Sequence, residues 1–198
     1  MTPVYFDSAA TTQVRKEVMQ DMQKVLLECY GNPSSTHAFG RAAKAIIETT
    51  RKTIAKELNA SPQEIIFTSG GTEADNMILR CAARDAQVTT IITSAVEHHA
   101  VLHTAEELKA EYNVKVEYVK LQDCGTPDYE DLERLLTATT DKKLVSLMHV
   151  NNEVGNILDA DRVGSLCREN NALFHSDTVQ SIGHFKWDVQ KTPIDFMT

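Results

Sequence analysis

Residues 67–76, FTSGGTEADN, decide how this sequence is interpreted. An apolar run over 65–67 stops abruptly, two glycines allow a tight turn, and helix-forming residues follow at once. Because a helix N-terminus presents free N–H groups, the stretch predicts either an anion site at Gly71 and Thr72 or a helix that is merely capped by Ser69 or Thr72. The glycine spacings of dinucleotide-binding and P-loop motifs are absent, which disfavours a plain nucleotide-binding protein.

On both sides of this stretch, the chain alternates between two kinds of hydrophobic pattern. The strand candidates are 65–68, 89–93, 115–119, 144–149, 172–176 and 194–198. The helix candidates are 14–28, 38–58, 72–86, 98–112, 128–138 and 159–170. Several strand candidates are apolar throughout, as expected when helices cover both faces of a sheet. The pattern predicts an α/β fold with a mostly parallel sheet and flanking helices.

The composition limits the function classes. Hydrophobic residues make up 42% and charged residues 24% of the 198 residues, which is typical of a globular protein. A net charge of −8 and a pI near 5.3 argue against nucleic acid or an anionic membrane surface as a partner. The sequence has no apolar run of membrane-spanning length and no recognisable signal peptide. The four cysteines are far apart, which favours a reducing cytoplasm over a disulfide framework or a zinc knuckle.

Polar residues follow four of the predicted strands. In open parallel sheets the ligand lies outside the carboxyl ends of the strands, so these residues are expected to converge on one site. The four stretches are 69–72, 94–99, 150–153 and 177–180.

Asp177 closes the predicted strand 172–176. A carboxylate at the mouth of a buried strand needs a partner, because its desolvation is costly. A ligand cation would supply one, and a pyridinium nitrogen is a specific candidate. The alternative is that Asp177 caps the turn that follows.

His98 follows the predicted strand 89–93 and can stack on a ring or move protons near neutral pH. His99 and His103 are four residues apart on one predicted helix face, which raises the alternative of a metal. No HExxH glutamate stands between them and no third ligand is evident, so no metal is predicted.

Asn151 and Asn152 follow the predicted strand 144–149. Their amides can bind a phenolic or carboxylate oxygen of a ligand, or they can satisfy the loop backbone. The remaining histidines are expected to be structural or at the surface; they are His37, His149, His175 and His184.

Six stretches together carry a family resemblance. They are YFDSAATT (5–12), YGNPSSTHAFGR (30–41), FTSGGTEADN (67–76), EHHAV (97–101), MHVNNEVG (148–155) and HSDTVQSIG (175–183). In this order the chain resembles the N-terminal half of the cysteine desulfurases, pyridoxal-phosphate enzymes of fold type I. The stretches VNNEVG and YGNPSS favour the iron–sulfur and nitrogen-fixation group. The resemblance implies that the sheet is part of the large domain of that fold.

The resemblance also implies a site for pyridoxal 5′-phosphate. Gly71 and Thr72 would hold the phosphate, and Asp177 would pair with the ring nitrogen. His98 would stack on the ring and act as the catalytic acid/base. These positions coincide with the strand ends selected above from the pattern alone.

Two further cofactor contacts and the substrate entrance follow from the resemblance. Asn152 and Gln180 would contact the ring near its hydroxyl group. Residues 9–12 and 32–35 would line the entrance for the substrate, L-cysteine.

In the family, sulfur passes from L-cysteine to a cysteine of the enzyme, which becomes a persulfide, and L-alanine is left. The sulfur acceptor is an iron–sulfur scaffold or a tRNA-thiolation protein, and the complete enzymes are homodimers.

The resemblance divides the chain into 1–13, a segment at the substrate entrance, and 14–198, an incomplete large domain. The family's cofactor-binding lysine, persulfide-forming cysteine, carboxylate-binding arginine and small C-terminal domain all come later than the matched stretches. Lys186 and Lys191 stand outside the lysine motif, and Cys29 does not match the position of the nucleophile. The chain is therefore expected to be truncated or split, and inactive by itself.

Two other interpretations stay open. The first is a selenocysteine lyase or another class-V aminotransferase-like enzyme, because the groups that select the substrate are not among the matched residues. The second is a non-catalytic module that binds pyridoxal phosphate or a partner subunit.

Overall fold

The structure is a computed structural model that describes residues 3–198. The chain divides into two compact units, the first ending at Ile65 and the second running over Ile66–Thr198. In the described residues no helix is both long enough and apolar enough to span a membrane.

The first unit is helical, with helix α1 at Lys16–Glu28, helix α2 at Ala38–Leu58 and a short 3-10 helix at Pro62–Glu64. The Nδ1 atom of His37 accepts from the backbone N–H of Gly40 (3.4 Å) and so caps α2. A Cβ added at Gly40 would lie 2.3 Å from the backbone oxygen of Ser35, so only glycine fits this close approach.

The second unit contains a five-stranded parallel sheet in the spatial order β2-β1-β3-β4-β5. Its strands are β1 (Thr90–Thr93), β2 (Lys115–Tyr118), β3 (Lys143–Ser146), β4 (Leu173–Ser176) and β5 (Phe196–Met197). Its helices are α3 (Gly71–Arg84), α4 (His99–Tyr112), α5 (Tyr129–Thr137) and α6 (Ala160–Glu169). The α/β fold with a mostly parallel sheet and flanking helices, predicted from the sequence, is confirmed.

Helices cover both faces of the sheet, which explains its apolar strands. On one face, α3 and α4 pack against the sheet through a buried cluster that includes Leu79, Val101, Leu108, Ile91 and Leu144. On the other face, α5 and α6 contact each other and α6 contacts β4. Alternate side chains along β1 and β3 therefore point into two separate apolar layers.

The predicted strand 65–68 is wrong. These residues form no strand, and within residues 3–198 no strand pairs with them. The Ile66 and Phe67 side chains are 65% and 47% exposed. An apolar run becomes a strand only where a neighbouring strand accepts its backbone hydrogen bonds, and the described sheet ends at β2 and β5.

The other elements match their predictions, with boundaries that differ by a few residues. The largest difference concerns the strand predicted over 144–149, since β3 ends at Ser146. The chain nevertheless stays beside β4, because the N–H of Leu147 donates to the oxygen of His175 (3.2 Å) and the N–H of His149 donates to the oxygen of Asp177 (2.9 Å).

Candidate cofactor site

The candidate site lies where the strand order of the sheet reverses. The chain runs from β1 outward to β2, returns to β3 on the other side of β1, and continues to β4. Such a reversal opens a crevice at the carboxyl ends of the two neighbouring strands. The loops after β1, β3 and β4 therefore begin at adjacent places, which is where three of the predicted polar stretches stand.

Buried side chains hold the loops after β1 and β3 together. Glu97 accepts from the backbone N–H of Met148 (2.8 Å) and from the hydroxyl of Ser94 (2.6 Å). The amide of Asn151 donates to the backbone oxygen of Val96 (2.9 Å). Asn151 is therefore the asparagine that satisfies loop backbone, which leaves Asn152 as the candidate for ligand contact.

The first turn of α3 begins without a side-chain cap from the residues that the structure describes. The N-cap residue is Gly70, which has no side chain, and no side chain caps the helix there. The Ser69 hydroxyl donates to Glu73 Oε2 (2.6 Å), and the Ser69 backbone N–H donates to the same oxygen (2.6 Å). These hydrogen bonds from Ser69 lower the pKa of Glu73. Because Ser69 acts as a donor, it does not use up the free N–H groups at the start of the helix.

Gly71 lies against the loop after β4. A Cβ added at Gly71 would lie 2.6 Å from Cγ2 of Val179 and 3.5 Å from Cγ2 of Thr198. The structure thus brings the start of α3 beside residues 177–180. Thr72, the next residue, is exposed, and its backbone oxygen accepts from the Asn76 amide (2.9 Å).

Asp177 is buried at the mouth of β4, with only 6% of its surface exposed. Its Oδ1 accepts from the backbone N–H of Val179 (3.0 Å), so it does organise the turn that follows. Burial raises the pKa of Asp177, the negative charge of Asp75 raises it further, and His175 and His98 act in the opposite direction. A carboxylate that is both desolvated and exposed to a like charge favours a cationic ligand.

Sequence reasoning missed two residues at this place. Asp75, on α3, is 1% exposed, and its Oδ1 has no hydrogen-bond partner within residues 3–198. His175, for which the sequence predicts a structural or surface role, is fully buried, with its Nε2 3.5 Å from Asp75 Oδ1. Side chains two residues apart along a strand lie on the same face of the sheet. The spacing between His175 and Asp177 is therefore the signal from which the sequence could have predicted that His175 lies near the site.

His98 is the N-cap of α4, and its Nδ1 accepts from the backbone N–H of Ala100 (3.2 Å). A ring nitrogen that accepts carries no proton, so the neutral imidazole holds its proton on Nε2. The His98 side chain is exposed and acts electrostatically on Asp177. His99 and His103 stack on each other at 5.1 Å between ring centroids. Within residues 3–198 no group of three or more metal-binding side chains is assembled.

Asn152 lies in the loop after β3, and Gln180 lies in the loop after β4. The Asn152 amide donates to Glu153 Oε1 (2.9 Å), so it is held by its own loop. Gln180 is half-buried, three residues after Asp177. The geometry thus brings together Gly71, His98 and Asp177, with Asn152 and Gln180 on the two neighbouring loops.

Two lysines and two cysteines of the second unit have other partners or surroundings. Buried Lys143 donates to the backbone oxygen of Asp141 (3.1 Å) at the opposite, amino end of β3. Lys191 pairs with Asp188 at the surface (3.2 Å). Cys124 is exposed on a loop, and burial raises the pKa of the Cys167 thiol to about 12.

The sequence matches the family Aminotransferase class-V over residues 4–198, and the chain belongs to this family. Within it, the chain is similar to "Cysteine desulfurase IscS" of Clostridium botulinum (strain Kyoto / Type A2), with 42% identity over 197 residues. That alignment covers 98% of this chain and 49% of the relative, so the chain spans about half the length of the curated relatives it matches. The resemblance inferred from the six sequence stretches is confirmed.

Solved structures agree with this assignment. A "NifS-like protein" superposes with a TM-score of 0.93 at 39% identity, over 99% of this chain and 54% of the other. A structure described as "SspA in complex with cysteine" superposes with a TM-score of 0.91 at 31% identity, over 98% of this chain and 56% of the other. The sheet and its helices are therefore those of the NifS-like fold.

Proposed function

We propose that this chain forms most of the pyridoxal 5′-phosphate site of a cysteine desulfurase, which converts L-cysteine to L-alanine and passes the sulfur to an enzyme cysteine. The observation that carries the proposal is Asp177, a buried carboxylate at the switch point whose pKa burial raises. Within residues 3–198 no lysine or arginine forms an ion pair with it. The protonated ring nitrogen of the cofactor is the cation that this position lacks.

The phosphate would bind at the first turn of α3. The N–H groups of Gly71 and Thr72 stand at the positive end of the helix, and the Thr72 hydroxyl adds a donor. The absence of a side chain at Gly71 lets Val179 approach, so the phosphate end and the Asp177 loop stay close together.

His98 would lie against the ring and handle protons at the substrate. Because Nδ1 is engaged by Ala100, the group available to the substrate is the Nε2–H. It would donate a proton in one step and recover it in another, as a general acid and base. When bound, the cofactor supplies an electron sink that stabilises negative charge on the reacting carbon of the substrate.

The finer contacts are part of the same proposal. Asn152 and Gln180 would bind the ring near its hydroxyl group, and residues 9–12 and 32–35 would line the substrate entrance. We assign residues 1–13, of which 1 and 2 lie outside the described residues, to that entrance, and 14–198 to the large domain. Cysteine rather than selenocysteine is favoured as the substrate, since a relative of the same fold is described as a complex with cysteine.

The partners are proposed from the family. We expect the complete enzyme to be a homodimer in the cytoplasm that hands sulfur to an iron–sulfur scaffold or a tRNA-thiolation protein. The exposed apolar side chains of α1 support a partner subunit on this helix. They include Met22, Leu26 and Leu27, which are 56%, 75% and 69% exposed.

The cofactor site is tested by titrating the purified chain calorimetrically with pyridoxamine 5′-phosphate, a cofactor form that needs no lysine. We expect saturable binding at one site and at least about tenfold weaker binding by Asp177→Asn, because about 1.4 kcal/mol is lost with one charge-assisted hydrogen bond. The matched control is Asp188→Asn, a half-buried carboxylate that pairs with Lys191, and this variant should bind like the unsubstituted chain. Equal binding by Asp177→Asn would contradict the site.

Activity of the chain alone is a separate test. We expect no steady release of sulfide from L-cysteine with added pyridoxal 5′-phosphate, because Lys186 and Lys191 stand outside the family's lysine motif and Cys29 does not match the position of its nucleophile. Continuous cofactor-dependent sulfide release would contradict this expectation. It would show that residues of this chain act as the cofactor-binding lysine, the persulfide-forming cysteine and the carboxylate-binding arginine.

A further inference from the structure

A second buried carboxylate stands behind Asp177. Asp75 lies one turn into α3, and its Oδ1 has no hydrogen-bond partner within the described residues. His175 Nε2 lies 3.5 Å from this oxygen and 3.1 Å from the hydroxyl of Thr198. Nδ1 of the same ring lies 2.9 Å from the hydroxyl of Ser146. Asp75 and His175, 1% and 0% exposed, are here called the buried dyad.

The hydrogen-bonding capacities assign the proton of the His175 ring. The Asp75 carboxylate only accepts, and the Thr198 hydroxyl can accept, so two acceptors beside Nε2 favour a proton on that nitrogen. The Ser146 hydroxyl can donate to Nδ1, which matches a ring that carries its proton on Nε2. Nε2 then forms its hydrogen bond with Thr198 and lies 3.5 Å from Asp75 Oδ1 as a close electrostatic neighbour.

Four titratable groups lie near Asp177, and two of them are carboxyl groups. The groups that act on it or face its surroundings are Asp75 on α3, Glu97 and His98 after β1, and His175 on β4. Burial raises the pKa of Glu97 to about 8, so it is neutral near pH 7. His98 accepts through Nδ1 and lies at the surface, where it lowers the pKa of Asp177. Asp75 and Asp177 are both buried, and within residues 3–198 no lysine or arginine forms an ion pair with either of them.

We propose that Asp75, held by His175, is a positioning residue that makes the site select the ring-protonated, cationic form of the bound cofactor. Asp177 touches the ring nitrogen, and Asp75 acts through it and through space. The negative charge of Asp75 makes Asp177 a stronger hydrogen-bond acceptor and also stabilises the protonated ring nitrogen directly. Both effects raise the pKa of the ring nitrogen. The inference rests on the proposed function, since it requires the ring to bind at Asp177.

The test measures the protonation of the cofactor ring rather than turnover. Pyridoxamine 5′-phosphate labelled with ¹⁵N in the ring is bound to the purified chain, and the ring ¹⁵N chemical shift is followed as the pH is raised. We expect Asp75→Asn to lower the pKa of the bound ring nitrogen by about one unit, so that about tenfold less of the cation remains at high pH. Asp85→Asn removes an exposed charge from the other end of α3 and should leave the ring unchanged.

A second measurement does not depend on any variant folding. Long-range ¹H–¹⁵N spectra of the unsubstituted chain should find His175 protonated at Nε2. A His175 ring without a proton on Nε2 would overturn the dyad.

The outcomes separate the two proposals. Failure of the unsubstituted chain to bind the labelled cofactor would refute the proposed function, and this inference with it. Binding with an unchanged ring pKa in Asp75→Asn would refute the role of Asp75 alone. A lowered ring pKa in Asp75→Asn, with none in Asp85→Asn, supports both.

Discussion

Gly70 and Gly71 are adjacent but have different surroundings. A Cβ added at Gly70 would meet nothing within 4 Å, and its φ of 165° is extended backbone open to any residue. A Cβ at Gly71 would lie 2.6 Å from Cγ2 of Val179. Since valine is stiff about its first side-chain torsion, the relief must come from the loop backbone. Gly71 is thus required by packing, whereas Gly70 is not.

We predict that Gly71→Ala lowers the free energy of unfolding by about 1–3 kcal/mol, the usual cost of an overpacked contact. It should also weaken the binding of pyridoxamine 5′-phosphate, because the loop of Asp177 moves away from the start of α3. Chemical denaturation and calorimetry measure the two effects. Gly70→Ala is the matched control. The interpretation is refuted if the two variants are equally stable.

Glu97 makes the stability of the second unit depend on pH. Burial raises its pKa from an ordinary 4.5 to about 8 in the fold. Between these values the folded chain keeps a proton that the unfolded chain has released. Stability from this group is therefore complete below the ordinary pKa and is lost as the pH rises toward 8.

We expect the free energy of unfolding to fall by about 1 kcal/mol per pH unit across this window because of Glu97. Glu97→Gln keeps an oxygen for the N–H of Met148 and should remove this component, so the variant should gain stability relative to the unsubstituted chain as the pH rises. Urea denaturation at several pH values measures the difference. Because the charge of Asp177 also acts on Glu97, the same comparison is made in an Asp177→Asn background, where the pH-dependent difference due to Glu97 should remain. A difference that does not vary with pH would contradict the prediction.

At the scale of the elements, a side-chain hydrogen bond joins the two helices that frame the site. The hydroxyl of Thr104 on α4 donates to Oδ1 of Asn76 on α3 (2.7 Å), and Thr104 is 2% exposed. The Asn76 amide in turn donates to the oxygen of Thr72 in the first turn of α3. The start of α3 is therefore tied to α4, the helix that His98 caps.

We predict that Thr104→Val destabilises the chain by about 1–3 kcal/mol, because it keeps the shape but leaves a largely buried amide oxygen unpaired. The control is Thr53→Val on α2, where an exposed hydroxyl bonds to the oxygen of Thr49 (3.0 Å) and little should change. Thermal unfolding distinguishes the two variants. A loss no larger than that of the control would show that the bond does not hold the helices together.

Most helices and strands could be predicted from the local sequence pattern, but residues 65–68 could not. The helices and the buried strands follow from their own periodicity, as Ile91 and Ile92 illustrate with complete burial. Residues 65–68 have the same local pattern, but strand pairing is a property of the whole sheet that one apolar run does not encode. The exposure of Ile66 and Phe67 is the result.

At the scale of the whole molecule, the sequence predicts candidate site residues at the places where polar residues follow predicted strands. This rule selected His98 and Asp177, which follow β1 and β4 at the carboxyl edge of the sheet. It did not find Asp75 or His175, because their burial and mutual approach depend on how α3 packs over β4. Glu97 was likewise passed over, since a glutamate beside two histidines is recognised as buried only in the folded chain.

The most direct test of the central claim is a crystal structure of this chain grown with pyridoxal 5′-phosphate. We expect the phosphate at the N–H groups of Gly71 and Thr72, the ring nitrogen within hydrogen-bonding distance of Asp177, and the His98 ring against the cofactor. Cofactor bound elsewhere, or none at a saturating concentration, would contradict the assignment of this switch point as the cofactor site.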